Sequence, residues 1–246
     1  MGGKIECYVD IASYYSYIAF AHLQQNQALL EQNGVSVEYH PFLIAAVNAE
    51  SGNRPPWLVK TKAKYLSKYD TKRAAEGVGL KNLSAPGDLM VAGRTIMPMR
   101  ALLHIKAHYS LDVFITALGY MFHAFWTLHK VPITVPVLTE VLSEIPVGYQ
   151  VGASPSSSTT PQKALFTPEQ IASIVEAVGK EEAKAGLKAT VDAALARGAF
   201  GAPWIWVTNA SGKSEPFFGS DRWKAVYDLL GLPYQKLEVL PPKSKL

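Results

Sequence analysis

The chain of 246 residues holds one cysteine, Cys7, and no run of 18 or more consecutive apolar residues. A single cysteine excludes an intrachain disulfide, a Cys-x-x-Cys redox centre and a cysteine-based zinc site. The missing apolar run excludes a membrane-spanning helix, which needs about 20 such residues. No phosphate-binding loop and no dinucleotide fingerprint occurs. Cys7 lies in an apolar, strand-like segment, so we expect a buried and inert thiol.

Charge and histidine content point away from two further classes of protein. The net formal charge is +4 and the pI is about 9.0. We interpret this charge as spread along the chain, which is too little for a nucleic-acid partner but suits small anionic ligands. His104 and His108 lie four residues apart without a third ligand motif, so we expect no metal site.

Hydrophobic periodicity and turn residues predict the order of elements. Residues 4–9, 14–33 and 35–43 are predicted to form a strand, a helix and a second strand. Helical patterns follow near 57–76, 96–108, 111–129, 135–145, 167–179 and 181–197, the fifth opened by a capping box at Thr167. Strands at 203–209 and 214–219 and a helix from Ser220 to about Leu230 end the pattern. The low-complexity stretch 152–161 is predicted to be a flexible surface loop.

This order predicts an α/β fold in which a helical domain interrupts a small sheet. Residues 1–55 and 199–246 are assigned to the α/β domain, and residues 56–198 to the inserted helical domain. The apolar, aromatic helix at 111–129 is expected to lie in the core or at a dimer interface.

Two serines spaced three apart, Ser13 and Ser16, stand where the first predicted strand gives way to the first helix. Serine is a favoured N-cap, because its oxygen accepts a hydrogen bond from a free N–H of the first turn. The same place has a functional interpretation, since a helix N-terminus carries about half a positive charge and stabilises an anion. The residues alone leave both interpretations open.

Two later segments also interrupt the apolar pattern. In "RGAFGAPWIWV", Pro203 opens a strand, which leaves neighbouring backbone groups available to a ligand, and X-Pro bonds are where cis peptides occur. In "FFGSDRW", Ser220 and Asp221 are either helix caps or, together with Arg222, contacts for the charged ends of a zwitterionic ligand. A plain loop and a plain cap are the alternatives.

The strand–Ser-x-x-Ser–helix start, "SGNRPP", "GAFGAP" and "FGSDR" occur in this order around the helical segment. In this combination, over about residues 4–232, the chain resembles the kappa-class glutathione transferases. These enzymes have a thioredoxin fold and are related to disulfide oxidoreductases and to 2-hydroxychromene-2-carboxylate isomerases. The resemblance implies a thioredoxin-like domain with an inserted helical domain, glutathione as the co-substrate and no metal.

The resemblance also implies roles for individual residues. Ser13 matches the catalytic serine, whose hydroxyl donates a hydrogen bond to the glutathione sulfur where related oxidoreductases have Cys-x-x-Cys. The backbone of Ala202, before a cis Pro203, matches the partner of the cysteinyl part. The other implied glutathione-binding positions are Tyr14, Tyr15, Asn53, Lys62, Ser220, Asp221 and Arg222. Tyr14 departs from the family pattern, which usually has proline there.

The implied activity is conjugation of glutathione to a small electrophile, such as an aryl halide or a lipid peroxide, in detoxification. Two alternatives remain: a glutathione-dependent isomerase of the hydroxychromene carboxylate type, and a non-catalytic protein that binds glutathione or lipophiles. The resemblance implies a homodimer, for which Phe122, Phe125 and Trp126 would offer apolar surface.

The last three residues, Ser244, Lys245 and Leu246, form the address that the peroxisomal import receptor reads. Pro241 and Pro242 favour an extended and accessible segment before it. We therefore expect an enzyme of the peroxisomal matrix, with the import receptor as a partner.

Overall fold

The computed structural model describes residues 2–152 and 163–235. Ser244, Lys245 and Leu246 lie outside these ranges, as does the predicted loop at 152–161 except for Gly152. Within the described ranges, no helix has both the length and the apolar character needed to cross a membrane.

One four-stranded sheet carries the α/β part of the chain, in the spatial order β2-β1-β3-β4. Its strands are β1 (Gly3–Val9), β2 (Val35–Pro41), β3 (Trp204–Asn209) and β4 (Ser214–Phe218). The central strand β1 runs parallel to β2 and antiparallel to β3, and β3 and β4 form an antiparallel hairpin. Cys7 on β1 is fully buried, and burial raises the pKa of its thiol. The expected burial of this thiol is confirmed.

Helices surround this sheet. Two accompany the first two strands: α1 (Tyr14–Gln32) and α2 (Ile44–Ser51). The described residues between α2 and β3 form eight more α-helices: α3 (Lys60–Tyr65), α4 (Thr71–Gly77), α5 (Leu89–Ala92), α6 (Ile96–His108), α7 (Leu111–Trp126), α8 (Val135–Glu144), α9 (Pro168–Val178) and α10 (Glu181–Ala196). The last helix is α11 (Trp223–Leu230). Most predicted elements are thus present, and the capping box at Thr167 is confirmed.

The prediction of local structure missed helices α2 and α5 and was wrong in the details of two further helices. Helix α2 was not predicted, because its apolar start reads equally well as the end of a strand. The single helix predicted at 57–76 divides into a 3₁₀ turn (Pro56–Leu58), α3, a π-helical turn (Leu66–Asp70) and α4, with extended backbone at Val59. Helix α11 begins at Trp223 rather than at Ser220.

Helix α7 packs directly onto α1. The rings of Tyr17 and Phe122 stack with centroids 5.0 Å apart. A Cβ on Gly119 would lie only 3.1 Å from a ring carbon of Phe20, so glycine permits this close approach. Phe122 and Phe125 are 0% exposed and Trp126 is 3% exposed. The expectation that these three residues offer surface to a dimer was therefore wrong: they form the core between the two parts of the chain.

A buried carboxylate joins three segments of the chain beside the end of β1. Asp10 is 0% exposed and accepts hydrogen bonds from the N–H of Ala12 at 3.0 Å and the N–H of Ile44 at 2.9 Å. The hydroxyl of Thr95, also buried, lies 2.8 and 3.0 Å from its two oxygens. Asp10 thereby connects the β1–α1 loop to the start of α2 and to the start of α6. Burial raises the pKa of this carboxyl to about 6 despite the three donors.

The pKa of Asp10 makes the stability of the protein depend on pH. A carboxyl whose pKa is higher in the folded than in the unfolded chain stabilises the fold less as pH rises through the interval between the two values. The free energy of unfolding of the wild type, relative to that of Asp10→Asn, should therefore fall between about pH 4 and pH 6, by up to about 3 kcal/mol. Urea denaturation at pH 4, 5, 6 and 7 measures this difference.

Thr95→Val is the matched variant for this experiment. It removes one donor to the ionised carboxyl without changing Asp10, so the pKa of Asp10 should rise further. The free energy of unfolding should then continue to fall to a higher pH than in the wild type. A difference between wild type and Asp10→Asn that stays constant from pH 4 to pH 7 would contradict the assignment.

Candidate active site

Ser13 stands at the start of α1 and makes two hydrogen bonds. Its backbone is extended, with φ −92° and ψ 111°, and its Oγ accepts from the N–H of Ser16 at 3.1 Å. The predicted N-cap is thus confirmed. The same hydroxyl donates to the carbonyl oxygen of Ala202 at 3.0 Å, across 189 residues of sequence. Ser13 is only 5% exposed.

The first turn of α1 is suited to an anion. It contains no acidic side chain. Within the described residues, the N–H groups of Tyr14 and Tyr15 donate to no other protein group. Free N–H groups and the positive end of a 19-residue helix favour negative charge at this point. The hydroxyl of Ser16 is fully buried without a hydrogen-bond partner in the described part of the chain.

The loop before β3 faces this helix start. The peptide bond between Ala202 and Pro203 is cis, as the sequence suggested. The amide of Asn53 donates to the carbonyl of Phe200 at 2.6 Å, which ties the "SGN" turn to the loop. At Gly201 a Cβ would lie 2.7 Å from the ring of Phe218, so any larger residue would have to displace that ring. The structure therefore brings Ser13, Asn53, Ala202 and Pro203 together.

The turn between β4 and α11 joins the same region. The N–H of Gly219 donates to the carbonyl of Pro203 at 3.2 Å, which places Ser220 and Asp221 beside the cis peptide. Asp221 and Arg222 are exposed and paired with each other, with 2.6 Å between Nη1 and Oδ2. The structure thus shows these two side chains as an exposed ion pair. Neither Ser220 nor Asp221 caps α11, whose N-cap residue is Arg222.

Tyr14 and Tyr15 direct their hydroxyls toward the helical segment. Tyr14 donates to the carbonyl of Thr71 at 2.8 Å, and Tyr15 makes a short hydrogen bond to the carboxylate of Asp70. The ring of Tyr14 also packs edge-on against Trp126. Burial raises the pKa of Tyr14 to about 12, and burial together with Asp70 raises that of Tyr15. Tyrosine at the usual proline position leaves the Ser13 cap intact.

Lys62 lies on α3 in a strongly basic part of the chain. Residues 54–73, called here the basic segment, hold seven Lys or Arg and one acid, so their net charge is +6. The whole chain is +4, so the remaining residues together are net negative by two. The interpretation that charge is spread along the chain was wrong. Lys62 itself is exposed, and no hydrogen bond or ion pair joins it to another predicted site residue within the described ranges.

One cluster has the residue types of a metal site. Ligand atoms of Glu6, Glu38 and His40 lie within 4.8 Å of one another. Three cationic side chains already pair with the two carboxylates: Lys4, Lys106 and Arg197. Because these cations neutralise the carboxylates, the cluster is an ion-pair network on the sheet rather than a cation site. His104 and His108 stack on each other, with ring centroids 4.1 Å apart.

A cavity of about 760 Å³ lies between α1 and α11, away from Ser13. His22, Trp223 and Tyr227 line it, and the rings of His22 and Trp223 stack with centroids 4.3 Å apart. His22 is nine residues along α1 from Ser13, or about 13 Å of helix. This cavity shares no lining residue with the predicted glutathione site.

Sequence analysis missed three residues whose hydrogen bonds fix the β1–α1 loop next to Ser13. Asp10 and Thr95 are the clearest, together with the indole of Trp126, whose N–H donates to the carbonyl of Ile11 at 2.8 Å. Asp10 carried one usable signal, since it is an acid that directly follows an apolar strand. Nothing local marks Thr95 or Trp126, because their partners lie 85 and 115 residues away.

Comparison with known proteins identifies the family of this chain. A family model described as a DsbA-like thioredoxin domain matches residues 4–231. Glutathione S-transferase kappa 1 of Caenorhabditis elegans is 29% identical over 232 residues, which cover 94% of this chain and 92% of that protein. The Homo sapiens protein of the same name is 27% identical, over 92% of this chain and 90% of its own.

A solved structure of a 2-hydroxychromene-2-carboxylate isomerase superposes with a TM-score of 0.66 at 20% identity, over 93% of this chain and 94% of that one. This likeness concerns the fold. With the family match, it confirms the predicted α/β fold of thioredoxin type. The chain belongs to the family of DsbA-like thioredoxin domains.

Proposed function

We propose that the protein is a glutathione transferase of the kappa class, which activates the glutathione thiol for attack on small electrophiles. The observation that carries this proposal is the position of Ser13. Its hydroxyl lies at the N-terminus of α1, 3.0 Å from the carbonyl of Ala202 beside a cis proline. The kappa-class relatives match along nearly the whole chain, which supports the same reading.

Ser13 and α1 act on the glutathione sulfur. A free thiol has a pKa of about 8.5, so only a few per cent is ionised at pH 7. A hydrogen bond from Ser13 to the charged sulfur and the helix terminus together contribute about 2–3 kcal/mol, which lowers the thiol pKa by roughly two units. Most of the bound glutathione is then thiolate, and the released proton leaves to solvent.

Activation requires Ser13 to change its hydrogen-bond acceptor. Its single proton points to the carbonyl of Ala202 in the structure. When the thiolate arrives, the hydroxyl donates to sulfur instead, and the freed carbonyl accepts an N–H from the cysteinyl part of glutathione. The exchange keeps every polar group paired, because one donor and one acceptor are each supplied by the ligand.

The remaining predicted residues hold the ends of the tripeptide. Ser220 and Asp221 are assigned to the γ-glutamyl end, since the contact of Gly219 with Pro203 keeps their turn next to Ala202. Asn53, Lys62 and Arg222 are assigned to the amide and carboxylate groups. In the reaction the thiolate forms a C–S bond with the electrophilic carbon, and with an aryl halide the halide leaves.

Ser13→Ala should lower kcat/KM for an aryl halide by about 10- to 100-fold, because a hydrogen bond to a charged sulfur contributes about 1.5–3 kcal/mol. Binding of glutathione should stay within about tenfold, since the rest of the tripeptide is still held. Ultraviolet titration of the thiolate band in the complex should show a higher thiol pKa than in the wild type.

Ser110→Ala is the matched control for Ser13→Ala. Ser110 caps α7 through a hydrogen bond from the N–H of Val113, so the control loses a helix cap without touching the site. An unchanged thiolate titration in Ser13→Ala would contradict the catalytic assignment. Turnover of hydroxychromene carboxylate in place of the aryl halide would indicate the isomerase instead.

The protein is expected to be a homodimer, as the family resemblance implies. Exposed apolar side chains on and after α5 provide surface that a second copy would cover: Met90, Val91 and Ile96 are 54%, 47% and 43% exposed. Light scattering at micromolar concentration should give twice the 26.8 kDa of one chain. Val91→Glu should lower that mass, whereas Val147→Glu, on another exposed surface, should not. A wild type that stays monomeric would contradict the dimer.

The C-terminal Ser244, Lys245 and Leu246 support placement in the peroxisomal matrix. A fluorescent fusion that keeps this C-terminus free should enter peroxisomes, and deletion of Leu246 should leave it in the cytosol. Activity should not change on deletion, because the tripeptide serves the import receptor alone. A full-length fusion that stays diffuse would contradict the localisation.

A further inference from the structure

The basic segment carries more positive charge than glutathione needs. All seven of its cations are exposed: Arg54, Lys60, Lys62, Lys64, Lys68, Lys72 and Arg73. Within the described residues, the ion pair between Lys72 and Glu76 at 3.9 Å is the only one that any of these cations makes. The single acid of the segment, Asp70, accepts a hydrogen bond from the hydroxyl of Tyr15. The other six cations therefore face solvent with no carboxylate partner in the part of the chain that the structure describes.

This charge lies beside the start of α1. Tyr15 and Tyr14, the first residues after Ser13, hydrogen-bond to Asp70 and to the carbonyl of Thr71, both inside the basic segment. A molecule bound along the segment is therefore held near the end of the helix at which Ser13 lies. Positive potential near a reacting thiolate raises the local concentration of anionic substrates.

The segment also offers aromatic and apolar contact. Tyr65 and Tyr69 are 49% and 42% exposed, with ring centroids 6.0 Å apart. Lys68 lies over the ring of Tyr69, with its Nζ 5.1 Å from the centroid. A hollow of about 420 Å³ is lined by Pro56, Thr61, Lys62, Tyr65 and Leu66. A volume of this size takes part of a small molecule, not a folded partner.

The number of free cations selects the chemistry of the ligand. Glutathione has two carboxylates, for which Lys62 and Arg222 are already assigned. With Lys72 paired to Glu76 and Lys62 assigned to glutathione, five cations of the segment remain. A monocarboxylate would engage only one or two of them. Several phosphate groups on one small molecule match this excess, and exposed tyrosines suit a nucleotide base, which stacks on aromatic rings.

We propose that the electrophile is carried on a phosphorylated nucleotide handle, as in an α,β-unsaturated thioester of coenzyme A, with the basic segment binding the phosphates. This inference rests on the proposed function. The glutathione thiolate forms a C–S bond to the β-carbon of the acyl group. The electron pair of the C=C bond moves to the α-carbon, which takes a proton from water. No group leaves and nothing is oxidised or reduced.

Two thioesters of crotonic acid test the proposal, one of coenzyme A and one of N-acetylcysteamine. They share the reacting atoms and differ in the phosphates. The wild type should show kcat/KM roughly tenfold or more in favour of the coenzyme A thioester, because opposite charge speeds association by about 10–10³. The preference should shrink at 1 M salt, where the screening length falls to about 3 Å.

In the double variant Lys64→Glu, Lys68→Glu, the kcat/KM values for the two thioesters should differ by no more than about twofold. The kcat/KM for the N-acetylcysteamine thioester should stay at the wild-type value. Lys62 is kept, because it is assigned to glutathione. The matched control is Lys81→Glu with Lys163→Glu, two exposed lysines outside the segment, with the same change in net charge. The control should keep the preference.

Three results would overturn the proposal. Equal kcat/KM for the two thioesters in the wild type would contradict a role of the phosphates, but it would not contradict the proposed transferase activity. If the control variant Lys81→Glu, Lys163→Glu also loses the preference for the coenzyme A thioester, the preference comes from the net charge of the protein and not from the basic segment. Stronger inhibition by a single-stranded oligonucleotide than by adenosine 3′,5′-bisphosphate at equal phosphate assigns the segment to nucleic acid. Failure with both thioesters and with an aryl halide overturns the proposed function itself.

Discussion

The buried carboxylate of Asp10 is the constraint on which the site depends. It accepts from Ala12 in the loop that carries Ser13, from Ile44 at the start of α2, and from Thr95 at the start of α6. Burial of a carboxyl is costly unless its oxygens are hydrogen-bonded, so each of these donors stabilises the folded chain by holding its segment against Asp10. The hydrogen bonds of Asp10, three residues before Ser13, therefore fix the position of the α/β part relative to the helical segment.

That fixed geometry lets one serine do two things. As an N-cap, Ser13 holds the first turn of α1 through the N–H of Ser16, and its proton remains available for another acceptor. In the structure that acceptor is the carbonyl of Ala202. A hydroxyl both accepts and donates, whereas the thiol it replaces in related oxidoreductases is a weak donor and itself the nucleophile. Under the proposed function, serine at this position moves the reactive sulfur from the protein to the ligand.

The sequence predicts what local chemistry determines and misses what distant partners determine. The Ser13 cap and the capping box at Thr167 each follow from a few neighbouring residues, whereas the cis bond before Pro203 was implied by the family resemblance; all three are confirmed. The role of Asp10 depends on partners 34 and 85 residues away, which no local pattern reveals. The same holds for Phe122, whose aromatic character suggested a surface but whose partner, Tyr17, makes it core.

Tyr14 shows how such a non-local contact changes the meaning of a departure from the family pattern. A proline at this position would fix the helix start by its own ring. Tyr14 instead fixes it from outside, through the carbonyl of Thr71 and the ring of Trp126. Tyr15 adds its bond to Asp70, so the first turn of α1 is joined twice to the basic segment. The same two side chains consequently hold together the end of the helix that is proposed to stabilise the thiolate and the cations that are proposed to attract the second substrate.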